Sequence, residues 1–90
     1  MRNSIEEVQL VVQRATQQIG TFTGMAVDRI VACARREQGW ILECEVVERQ
    51  AIPNAMDILG LYEFELDLKG NVEQFRRKSS RHRGDVITNF

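Results

Sequence analysis

Ninety residues, 43% of them hydrophobic and 28% charged, describe a single domain over 1–90 with one modest core. Such a chain is too apolar for disorder and too short for a deep cleft between subdomains. Its formal net charge of −1 excludes retention on nucleic acid or an anionic membrane by bulk electrostatics.

Ser4-Ile5-Glu6-Glu7 is a capping-box pattern and opens a helix expected over about 4–19. Ile5, Val8, Val12, Ala15 and Ile19 recur at spacings of three and four, which places them on one face. Gly20 is expected to end the helix, with Gly20 to Gly24 as a loop. Leu10 falls on the opposite side. A first strand is expected over about 25–36, where Val27 and the run Ile30 to Ala34 predict cover on much of both faces. Gln38-Gly39 reads as a two-residue turn, a register that sets Cys33 opposite Cys44 within disulfide reach. No signal-peptide pattern follows Met1 and no apolar run is long enough to span a bilayer. A cytoplasmic location is therefore expected, and it favours two free thiols.

The second strand, about 40–50, alternates: Trp40, Leu42, Cys44 and Val46 on one face, Glu43 and Glu45 on the other. Ile52-Pro53-Asn54-Ala55-Met56-Asp57 interrupts the ladder, since Pro53 has no amide to donate. A third strand, about 59–68, puts Tyr62, Phe64, Leu66 and Leu68 inward and Glu63, Glu65 and Asp67 outward. Lys69-Gly70-Asn71 turns into a fourth, about 72–81, with Phe75 facing Phe64 and a tail over 84–90. Short connections make neighbours antiparallel. The predicted fold class is α+β: an N-terminal helix packed on one face of a four-stranded antiparallel β-meander.

No constellation of residues carries chemistry. The carboxylates Glu43, Glu45, Glu48, Glu63, Glu65 and Asp67 alternate with apolar residues and belong to a solvated face, where proton affinities shift little. His82 lies between Arg81 and Arg83, whose charges oppose both metal binding and imidazole protonation. Neither cysteine has Cys-x-x-Cys spacing, and the glycines stand singly. The expectation is a non-enzyme with no metal, cofactor or small-molecule substrate. The basic run Arg76-Arg77-Lys78, Arg81-His82-Arg83 fits cross-strand pairing with Glu63 and its neighbours, or an acidic protein partner. Nucleic acid is disfavoured because interleaved aromatics are missing. Arg77, Arg81 and Arg83 are the candidate partner-binding residues, being those that Glu63 leaves free.

Gly39-Trp40, Glu45-Val46-Val47-Glu48, Ile52-Pro53, Asp57-Ile58-Leu59, Tyr62-Glu63, Leu66-Asp67, Gly70, Phe75-Arg76-Arg77 and Arg81-x-Arg83-Gly84 together resemble the gas vesicle protein O family over about half the chain. Asn54 and His82 depart from the family pattern, in which an acid follows the proline and an aromatic is common at the second position. The resemblance implies a cytoplasmic accessory protein of gas vesicle formation or its regulation, acting on other gas vesicle proteins without catalysis. The Gly-Trp strand followed by Tyr-x-x-x-Leu-Asp-x-x-Gly-x-Val is also similar to the PepSY type of small binding or inhibitory module.

Overall fold

A computed structural model describes residues 4–85. The element order is α1 (Ile5–Thr23), β1 (Ala26–Arg36), β2 (Gly39–Arg49), a single 3₁₀ turn (Asn54–Met56), β3 (Ile58–Leu66) and β4 (Val72–His82). The four strands form one antiparallel sheet in the order β1-β2-β3-β4, with α1 on one face, as the alternation predicts. The expected tail lies outside the described residues from position 86 on.

Ser4 caps α1 by accepting from the Glu7 amide at 3.0 Å. The helix runs one turn past Gly20. Gly20 keeps a helical backbone, and Gly24 takes the left-handed cap instead, at φ 72, with its amide bonded to the Gly20 carbonyl at 3.0 Å. The Thr21 and Thr23 hydroxyls donate back to the carbonyls of Gln17 and Ile19 inside this last turn. The buried helix stripe is Val11, Ala15 and Ile19, with Val8 and Val12 at its margin. Ile5, expected in that stripe, is 76% exposed one turn beyond the sheet's cover, while Leu10 is exposed as read.

Trp40, Leu42, Cys44 and Val46 of β2 and Tyr62, Phe64 and Leu66 of β3 complete the core beneath α1. Phe75 does pair with Phe64, at 5.4 Å between ring centroids, but β4 is an edge strand and Phe75 stays half-exposed. Leu68 lies beyond the end of β3 and is exposed. β1 departs furthest from expectation. It is the other edge strand, and only Val27 and Cys33 on it are even partly buried. Apolar β-branched residues alone do not distinguish an edge strand from a central one.

The first hairpin turns at Glu37-Gln38, one residue earlier than expected, with Arg36 paired to Gly39. The reason is packing: a Cβ on Gly39 would come within 1.9 Å of the Leu66 carbonyl oxygen on β3, so this glycine is needed inside the sheet and not in the turn. Cys33 consequently faces Leu42, and Cys44 faces Ile30. Both thiols are free. Burial, helped by the Glu43 carboxylate, pushes the Cys44 thiol up to about 11.

Candidate functional site

The basic residues of β4 do not gather into a separate patch. They are drawn back across the sheet onto the acids of the central strands. On the face away from α1, Arg81 crosses β3 to grip Glu45 of β2 with two hydrogen bonds, at 2.8 and 3.0 Å. Arg29 of β1 reaches the same carboxylate from the other side at 3.1 Å. Lys78 crosses to Glu43, and Arg76 meets its register partner Glu63 at 3.2 Å. Leu59, the register partner of Arg81, is only 1% exposed on this face. The alternation that puts Glu43, Glu45, Glu63 and Glu65 here also brings bases from both edges over them, which leaves a face of interleaved signs.

Arg77 belongs to the other face. A register shift between Leu61 and Tyr62 inserts Lys78 as an extra residue and swings Arg77 opposite Tyr62. Its guanidinium holds Glu48 at 2.7 and 2.9 Å, and the Tyr62 hydroxyl donates to the same carboxylate at 2.8 Å. Gly60 makes room, since a Cβ there would come within 2.5 Å of the Glu48 carboxyl.

Arg83 clamps a loop. Its side chain bonds Asp57 at 3.1 Å and Asp28 at 3.0 Å, and its amide bonds the Asp57 carbonyl at 2.8 Å. Asp57 in turn accepts from the Ala51 amide at 2.7 Å, and the Gly84 amide reaches the Ala55 carbonyl at 2.8 Å. The loop so fixed presents Ile52, 99% exposed, with Met56 half-exposed beside it. Arg77, Arg81 and Arg83 therefore occupy three separate positions, each bound to a carboxylate of its own chain. Glu63 does leave these three free, holding only Arg76, but Glu48, Glu45 and Asp57 hold Arg77, Arg81 and Arg83 instead.

The proton affinities follow these contacts. The hydrogen bonds from Arg81 hold the Glu45 carboxyl below its ordinary range against the opposing effect of burial, and Arg77 does the same for Glu48. The three guanidiniums are raised reciprocally by their carboxylates. Among the described residues, no group of three His, Cys, Asp or Glu side chains is placed to hold a metal ion. No helix among them is long and apolar enough to cross a membrane.

The profile of the gas vesicle synthesis protein GvpO family matches residues 1–87. The chain belongs to this family. It is 36% identical over 74 residues to gas vesicle protein O of Streptomyces sp. strain CB03234, spanning 82% of this chain and 58% of that one. It is 37% identical over 65 residues to gas vesicle protein O1 of Halobacterium salinarum strain NRC-1, spanning 72% of this chain and 50% of the relative. With gas vesicle protein O of Haloferax mediterranei the identity is 40% over 53 residues, covering 59% and 38% of the two chains. The chain thus spans about half the length of the curated relatives it matches. No solved structure shows a significant match. Membership in the GvpO family decides between the two resemblances read from the sequence. The fold gives some of the quoted residues a physical reason: Gly39 lies against Leu66, and Asp57 and Arg83-Gly84 hold the Ile52-Pro53 loop.

Proposed function

We propose that this chain is a non-enzymatic accessory protein of gas vesicle formation that acts by binding other gas vesicle proteins in the cytoplasm. Family membership carries the reading, and the relatives' names point the same way. The sheet supplies a surface for it. Helix α1 covers one face, while the other carries the interleaved acids and bases with the exposed Val31 among them. Interfaces of this mixed kind are enriched in arginine, whose planar fork satisfies carboxylates at defined geometry. Arg81 sits on this face. Each guanidinium has five N–H donors, and Arg77, Arg81 and Arg83 each keep some after pairing, so docking through them adds to the internal contacts without replacing them.

The test is a pull-down of co-expressed gas vesicle proteins by the wild-type chain, by Ala34→Glu and by an Arg77→Gln, Arg81→Gln, Arg83→Gln triple variant. Folding of each is checked by circular dichroism. Ala34 is exposed on the open face, so its substitution spares the core. Recovery is expected to fall in both variants, and in the wild type as salt rises. Undiminished recovery by folded Ala34→Glu would falsify a role for this face, and undiminished recovery by the folded triple variant would remove the three arginines as docking residues.

A further inference from the structure

Two apolar features lie at opposite ends of the sheet. One is the clamped loop with Ile52 and Met56, at the end where β2 passes to β3. The other is a groove between the last turn of α1 and the start of β4, lined by Ile19, Phe22, Phe64, Val72 and Phe75. Phe22 is 73% exposed there and Phe75 51%, an uncommon pair of exposed aromatics for so small a chain. The groove exists because α1 runs past Gly20 and carries Phe22 out over the edge strand. The loop is a fixed knob, since Asp57, Arg83 and Gly84 hold it from beneath and leave Ile52 in solvent.

The charges beside the two features are opposite. Arg49 precedes the knob and Glu73 lines the groove, and among the described residues neither takes part in an ion pair. The bases of β4 nearest the groove, Arg76, Arg77 and Lys78, are already held by Glu63, Glu48 and Glu43. They neither compete for Glu73 nor repel an incoming cation strongly. Lateral pairing of edge strands is the less suitable route to self-association. Register shifts interrupt β1 twice and also fall on either side of the stretch Gln74 to Arg77 of β4, and such irregularities blunt an edge.

We propose that the groove of one copy receives the Ile52–Met56 knob of a second copy, with the second copy's Arg49 against Glu73. Knob and groove are different surfaces at opposite ends of one chain, so the contact is heterologous and head-to-tail. It propagates into an open row of copies unless the rotation between neighbours closes a ring. The apolar insertion supplies the affinity, and the Arg49–Glu73 pair sets orientation.

Sedimentation velocity on the full chain over a wide concentration range tests this. The wild type is expected to grow beyond a dimer as concentration rises. Ile52→Asp removes the knob and Phe75→Asp the groove. Both positions are exposed, both variants are expected to remain folded by circular dichroism, and each alone should sediment as a monomer. An equimolar mixture of the two should form a one-to-one complex that stops at two chains, because one variant keeps the groove and the other the knob. Arg49→Glu or Glu73→Arg should weaken assembly about fivefold, and the two together should restore it. A wild type that stays monomeric throughout overturns the proposal. So does a mixture that stays monomeric, or assembly untouched by either Asp substitution. If the chain is monomeric but other gas vesicle proteins bind at Ile52 or Phe75, those features serve a different partner and the self-association is refuted.

Discussion

Glu45 is 5% exposed, yet it carries a charge between two arginines. A carboxylate withdrawn from water is tolerated only when hydrogen bonds replace the lost hydration. Arg81 supplies two of these in fork geometry from a largely buried position, whereas the Arg29 side chain is 52% exposed. The two partners are therefore unequal. Arg81→Ala should cost about 2 kcal/mol by urea denaturation, because it strands a buried charge with one weak partner. Arg29→Ala should cost only about 0.5 kcal/mol. Equal losses for the two would show that the fork geometry contributes nothing beyond simple proximity.

The elements were legible in the sequence wherever one face of a strand or helix is dry and the other wet. The alternation Trp40 to Val46 and Tyr62 to Leu66 gave the face of both central strands, and Ser4 gave the helix start. What escaped the sequence depends on neighbours in space. Burial of β1 required knowing that it lies at an edge. The turn position required knowing that Gly39 touches Leu66. The candidate site was legible in its residue types, since the basic run and the acids are both plain in the sequence. Its pairing was not, because Arg81 and Lys78 reach two strands away and cross-strand reasoning considers only the adjacent one. The helix end offers a direct comparison of two glycines. Around Gly20 nothing lies within 4 Å of an added Cβ and φ is ordinary, whereas Gly24 has φ +72. Gly20→Ala should stabilise the protein by about 0.5–1 kcal/mol through helix propensity, and Gly24→Ala should destabilise it by about 1 kcal/mol. Thermal melts of both variants decide where the helix stops. A destabilising Gly20→Ala would return the end to the position the sequence alone suggests.

Over the whole molecule, the ion pairs tie all four strands together: β1 to β2 through Arg29, β4 to β3 through Arg76, β4 to β2 through Lys78 and Arg81, and β4 to the β2 end through Arg77. Their acids respond to pH in one direction. Glu45 and Glu48 are both lowered from an ordinary value of 4.5, chiefly by hydrogen bonds from Arg81 and Arg77. Asp67 is lowered from 3.8 by the Asn71 side chain and by the turn amides. A group lowered on folding contributes stability that is full above its unfolded value and is lost as pH falls through its folded one. Stability should therefore be flat from neutral pH down to about 5, then decline with further acidification as these carboxylates gain protons. Arg81→Gln should lower stability at neutral pH and make the decline shallower, because Glu45 then holds its proton more nearly alike in the folded and unfolded chains. Salt should do less, since the Glu45 side chain is 6% exposed and beyond most of the screening that weakens surface pairs. Urea unfolding from pH 7 to pH 3, at low and high salt, measures all of this on the same two proteins. Parallel pH curves for wild type and Arg81→Gln would mean that Glu45 is not the group whose protonation loosens the sheet, and Glu48, joined to Tyr62 and Arg77 on the opposite face, would be examined next by Arg77→Gln.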